Sequence, residues 1–172
     1  LKESDEVDPV NAYGESKLLG EQLTLKNNPD TIIIRTSWVY SSYGKNFVKT
    51  MISLMRSREE ISVVNDQTGA PTYAPDLASA IMQIISDDRW LPGIYHYSNA
   101  GKTTWFGFAE AIKQMISSNC KINPIPSSAY PTPAQRPQYS LLNTDKIVST
   151  YGLQIRDWKE SLQECVQKLQ SV

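Results

Sequence analysis

Histidine occurs once, at position 96, and cysteine twice, at 120 and 165. One imidazole and two distant thiols cannot assemble the ligand set of a zinc site, so no metal centre is expected. Cys165 falls on an apolar helical face, and both thiols are expected to be reduced core residues, the usage of a cytoplasmic protein. Basic charge is not in excess either: 17 Lys and Arg stand against 18 Asp and Glu, for a net charge of −1. Without a basic run there is nothing to contact successive phosphates, so no nucleic-acid partner is expected. No apolar stretch reaches the roughly 20 residues a membrane-spanning helix needs. The acidic opening Leu1-Lys2-Glu3-Ser4-Asp5 is unlike a signal peptide. Finally, the glycines at 14, 20, 44, 69, 93, 101, 107 and 152 contain neither G-x-G-x-x-G nor G-x-x-G-x-x-G. The turn that cradles the pyrophosphate of a dinucleotide is therefore missing from these residues.

What is present is a soluble globular composition, 40% hydrophobic and 20% charged, over 172 residues, enough for one sizeable core or a domain with an appendage. Residues 1–9 read as loop, and a chain that opens in this way is expected to be a piece of a longer protein. A helix is predicted over 10–26, with Leu18, Leu19, Leu23 and Leu25 giving much of its apolar surface. After the turn Asn27-Asn28-Pro29-Asp30, residues 31–36 carry Ile32-Ile33-Ile34, the pattern of a strand buried on both faces in a parallel sheet. Periodicity predicts further helices over 46–55, from Pro75 and after Thr104, with short strands at 61–64 and 93–98. Residues 123–137 hold five of the ten prolines and no apolar period, so a long loop is expected there. A short helix from Thr144 to Gly152 and an apolar-striped helix through Trp158 and Leu162 close the chain.

Tyr13-Gly14-Glu15-Ser16-Lys17 lies inside the first predicted helix. Residues four apart share a helical face, so the phenol and the ammonium stand one turn from each other. A tyrosine titrates near 10, and a fixed cation within about 4–6 Å favours its phenolate, which suits proton transfer to or from an alcohol. The same spacing also occurs wherever a packed ring sits beside a solvated lysine. Strand 31–36 runs out into Arg35-Thr36-Ser37-Trp38-Val39-Tyr40. In open α/β sheets that end of a strand faces the ligand crevice, although Trp38 would equally serve as a core plug. Arg136-Pro137 places a guanidinium at a stiffened position suited to a phosphate, or simply to solvent.

Taken together, these stretches resemble the extended short-chain dehydrogenase/reductases, and among them the dTDP-4-dehydrorhamnose reductase family. The resemblance runs from about Asp8 to the C-terminus. It is carried by Pro9-x-Asn11-x-Tyr13-Gly14-x-Ser16-Lys17-x-x-Gly20-Glu21, by Arg35-Thr36-Ser37-Trp38-Val39-Tyr40 and by Gly44-x-Asn46-Phe47. Asp66-Gln67-x-Gly69-x-Pro71-Thr72, Asp76-Leu77-Ala78 and Arg136-Pro137-x-x-Ser140-x-Leu142 continue it. It implies an α/β fold: the C-terminal part of a Rossmann-type parallel sheet with helices, plus a smaller mixed α/β substrate-binding lobe. Residues 1–45 would be the remnant of the dinucleotide-binding domain. Residues 46–172 would be mainly the nucleotide-sugar lobe, with strand 93–98 returning to the Rossmann sheet.

The implied activity of the parent protein is reduction of a dTDP-linked 4-dehydro-6-deoxy sugar to dTDP-L-rhamnose by hydride from NADPH or NADH. Tyr13 would be the proton donor, and Lys17 would hold the nicotinamide ribose and tune Tyr13. Trp38 would line the sugar pocket, and Asn46, Phe47, Thr72 and Arg136 would contact the nucleotide-sugar. The cofactor site would be incomplete here, leaving these residues alone inactive. A Mg2+ requirement in the parent and a homodimer are left open. Two rivals remain: another nucleotide-sugar epimerase or dehydratase of the superfamily, and a non-catalytic reductase-like regulatory subunit. Strand 31–36 is expected to have an open edge through which these residues self-associate.

Overall fold

The computed structural model describes residues 1–132 and 134–171. Helix α1 (Ala12–Asn27) begins where the Asn11 side chain accepts a hydrogen bond from the Gly14 N–H at 2.8 Å, an N-cap. Gly14, Leu18, Glu21 and Leu25, spaced three and four apart, form its half-buried inner face. Leu19 and Leu23 lie away from it, 55% and 49% exposed. Strand β1 (Ile32–Thr36) follows, then the short β2 (Val39–Tyr40), helix α2 (Phe47–Ser57) and strand β3 (Glu60–Val64). Two more short strands, β4 (Thr68–Gly69) and β5 (Thr72–Tyr73), lead into α3 (Ala74–Ile85), which has Pro75 in its first turn. Strands β6 (Gly93–Tyr97) and β7 (Thr103–Thr104) precede α4 (Trp105–Met115) and β8 (Lys121–Ile125). A 3-10 turn at Ser127–Ala129, α5 (Asp145–Tyr151) and α6 (Trp158–Gln170) complete the order.

Two hydrophobic cores result. In the first, β1 and β6 run parallel in register from Ile32 beside Gly93 to Thr36 beside Tyr97. Because strand side chains alternate, Ile32 and Ile34 face one way, packing with Ala80, Ile84, Tyr95, Tyr97, Ile147, Tyr151 and Leu153. Arg35 faces the other way and meets α1, where Glu21 takes it bidentately, with Nε to Oε2 at 2.8 Å. In the second core, β3 and β8 pair in parallel beneath α2, α4 and α6, around Val48, Phe108, Ile112 and Leu162, all wholly buried. Strand β2 pairs with β5, bringing Tyr40 and Tyr73 into the second core, and β4 pairs with β7.

Three sequence expectations need correction. Residues 123–125 are not loop: they are the end of β8, pairing Val63 with Pro124. Lys121 N–H bonds to Glu59 and Ile125 C=O to Asn65, so odd-numbered residues of β8 face β3. Pro124, lacking an N–H, falls on the outward position where none is needed. Position 133, within the same expected loop, lies outside the described residues. The isoleucines of β1 are half-buried rather than buried, because among the described residues β1 has a partner on one edge only. Strands β2, β4, β5 and β7 are not among the expected elements, because two residues each is too short to leave a period in the sequence.

Candidate active site

A cleft of about 1320 Å³ opens beside the second core. One wall comes from β2, α2 and the start of α4, the other from the proline-rich segment after β8. Trp38 is at its base. Its backbone is left-handed, with φ 50°, an uncommon state for a bulky residue and one costing about 1–3 kcal/mol. Three things hold it there. The Trp38 carbonyl accepts from the Thr72 N–H at 3.2 Å. The indole stacks on Trp105, ring centroids 3.7 Å apart and planes 11° from parallel. It also lies over Gly69, where a Cβ would come within 2.7 Å of Trp38 Cε2. Phe47 extends the aromatic wall, its ring 4.7 Å from Trp105.

The facing segment is tied down at both ends. At one, Ser127 donates its N–H to both Asp66 carboxylate oxygens, at 3.0 and 2.9 Å, and its hydroxyl to Asp66 Oδ1. These bonds hold the Asp66 carboxyl below its ordinary range. At the other, Thr68 accepts from the Ser140 N–H and donates to the Gln138 carbonyl. Between the two ties, Tyr130, Gln135 and Arg136 line the cleft. The Asn11 side chain donates to the Gln135 carbonyl at 2.7 Å, which fixes the first turn of α1 at the cleft's rim. There Tyr13 is 72% exposed, with the Lys17 ammonium 5.4 Å from its ring centroid.

Of the residues singled out in the sequence, Trp38, Phe47 and Arg136 thus line one cleft, while Tyr13 and Lys17 stand together on the helix whose cap, Asn11, is bonded to Gln135 of the cleft wall. Asn46 and Thr72 lie behind the wall. The Asn46 carbonyl oxygen caps α2, and its amide donates to Ser41 and Tyr43 carbonyls. Thr72 is wholly buried, its hydroxyl accepting from Thr36. Trp105 and Gln67 were missed as members of the site. Trp105 is the first apolar residue of α4, and nothing in periodicity distinguishes a core ring from a cleft wall. A charged group also lies behind β1: burial pushes the His96 imidazole down, and its Nε2 is 3.5 Å from Arg35, whose guanidinium the Glu21 bond holds above its ordinary range.

The model of the RmlD substrate binding domain matches residues 1–171. The chain belongs to this family. It is 39% identical to a dTDP-4-dehydrorhamnose reductase of Burkholderia thailandensis, over 98% of this chain and 62% of that protein. It is 41% identical to the spore coat polysaccharide biosynthesis protein SpsK of Bacillus subtilis, over 99% and 59%. Among solved structures, a dTDP-4-dehydrorhamnose reductase from Clostridium acetobutylicum superposes with a TM-score of 0.93 at 39% identity, covering 99% of this chain and 60% of that one. The Bacillus anthracis reductase, solved with NADP, gives 0.90 at 40% identity, over 97% and 58%. The chain spans about three fifths of the length of the relatives it matches. The fold is α/β of the Rossmann-type reductases.

Proposed function

We propose that these residues are the substrate-binding part, with the catalytic Tyr/Lys helix, of an NAD(P)H-dependent dTDP-4-dehydrorhamnose reductase. The observation that carries this reading is the placement of Tyr13 and Lys17. They share one exposed face at the start of α1, and Asn11, the cap of that helix, is bonded to the loop that walls the aromatic cleft. The nucleotide-sugar takes the cleft, its flat groups against Trp38 and Phe47 and its diphosphate toward Arg136. Asn46 and Thr72 shape the wall from behind.

The residues present fit a nicotinamide ribose. Lys17 has no carboxylate within ion-pair distance among the described residues, so its ammonium is available to the ribose hydroxyls. The cofactor supplies the hydride when bound. Tyr13 gives its phenolic proton to the alkoxide oxygen forming on the sugar, and the Lys17 ammonium one turn away offsets the charge left on the phenolate. The pyrophosphate of the cofactor needs a glycine turn that these residues lack.

Calorimetry tests the reading. The 172-residue chain is expected to bind dTDP, to lose that binding on Trp38→Ala, and to show no measurable affinity for NADPH. NADPH binding without dTDP binding would overturn it. In a full-length reductase carrying these residues, Tyr13→Phe is expected to lower kcat by about 10²–10⁴ with cofactor affinity nearly unchanged. Retention of most activity would remove Tyr13 as the acid.

A further inference from the structure

Trp38 is held in a left-handed backbone by its stack on Trp105, so whatever fixes the Trp105 ring also fixes the base of the cleft. The Trp105 indole N–H donates to Gln67 Oε1 at 3.1 Å. Gln67, 8% exposed, donates its amide to Ser127 Oγ at 2.9 Å. Ser127 in turn gives its hydroxyl proton to Asp66. A serine hydroxyl has one proton. An ionised carboxylate can only accept, so that proton is committed to Asp66, and Ser127 Oγ can only accept from Gln67. The Gln67 amide must then face Ser127 with its NH2, leaving its carbonyl for the indole, which can only donate. The directions are thus set from both ends: the Asp66 carboxylate can only accept and the Trp105 N–H can only donate.

We infer that Asp66, Ser127 and Gln67 are positioning residues: a polar relay that orients Trp105, and through it Trp38, for the nucleotide of the substrate. The inference rests on the dTDP reading above and deepens it. Ser127 begins the segment that carries Arg136, so the same relay locks the two walls of the cleft to each other. Replacing Asp66 by asparagine turns one of the two oxygens that accept from the Ser127 N–H into a donor. The NH2 then faces the Ser127 N–H, which displaces Ser127 and loosens its bond to Gln67 and, through Gln67, the bond to the Trp105 N–H.

The test uses the chain with dTDP as probe and the indole N–H resonance of Trp105, identified by its loss in Trp105→Phe. Asp66→Asn and Ser127→Ala are expected to shift or broaden that resonance and to weaken dTDP binding by up to about tenfold, the worth of one hydrogen bond. Ser127→Thr, which keeps the hydroxyl, is expected to restore both. An unmoved Trp105 resonance in the first two variants overturns the relay. A moved resonance with unchanged dTDP affinity overturns the positioning role. If the native chain fails to bind dTDP, the substrate reading falls and the positioning role with it, while the relay itself is still judged by the resonance.

Discussion

At the scale of single residues, Gly69 is where a small change should be felt most. An added Cβ would lie 2.7 Å from both Ser140 Oγ and Trp38 Cε2, and neither neighbour is free to withdraw. Ser140 is held by Thr68, and Trp38 by Trp105. Gly69→Ala is therefore expected to cost about 1–3 kcal/mol by overpacking, read by urea denaturation, and to weaken dTDP binding because the displaced ring forms the cleft. Other residues set the response to alkali. Burial pushes the Cys165 thiol from its ordinary 9.0 up to about 11, and the Tyr95 and Tyr97 phenols from 10.0 up to about 12. All three lose their protons in the unfolded chain first. Below pH 9 both states hold these protons and nothing changes, whereas from about pH 9 to 12 the unfolded state gains charge that the core resists, and stability falls. Thermal melts across that range should show the decline beginning near pH 9. The same burial keeps Cys165 unreactive: at pH 8 a thiol reagent should label it no faster than the chain unfolds.

At the scale of elements, the N-caps carry checkable weight. Asn46 accepts from the Lys49 N–H at 3.2 Å while its amide closes the 41–43 turn, so Asn46→Ala should cost about 0.5–2 kcal/mol of stability. Any effect on dTDP affinity is then expected to come through the placement of Phe47, the first residue of α2. The capping residues and the apolar stripes of α2, α4 and α6 made these helices legible, because each buries one face against a core and keeps the other in water. Helix α1 could also be found from its sequence, but its leucines lie on two sides, and only contact with β1 distinguishes Leu18 and Leu25 from Leu19 and Leu23. Strand β8 was hidden by its proline, since the outward phase that makes Pro124 acceptable depends on pairing with a strand some sixty residues earlier. In the site, Tyr13, Lys17 and Trp38 stood out through spacing and family resemblance. The relay through Gln67 did not, because its three bonds join segments that only the fold brings together.

At the scale of the molecule, β1 has an unpaired edge among the described residues, and Leu19, Leu23 and Tyr13 lie exposed beside it on α1. A largely apolar strand edge with no proline, its one charge Arg35 turned to Glu21 of α1, invites another strand. The chain is expected to self-associate as its concentration rises, measured by sedimentation velocity, and Leu19→Lys with Leu23→Lys should shift it toward monomer. Unchanged sedimentation would place the contact elsewhere. The order in which the chain visits its two cores has a further consequence. It passes from α1 and β1 to α2 and β3, back to α3 and β6, out again to α4 and β8, and returns through α5 before ending at α6. A protease that cuts the exposed residues 128–132 would therefore separate two pieces that remain interleaved. The C-terminal piece would keep Ile147 and Tyr151 in one core and Leu162 and Cys165 in the other. Such a nicked protein should run as one species on a native gel and as two bands in denaturant, and the two pieces, mixed after separation, should find each other again.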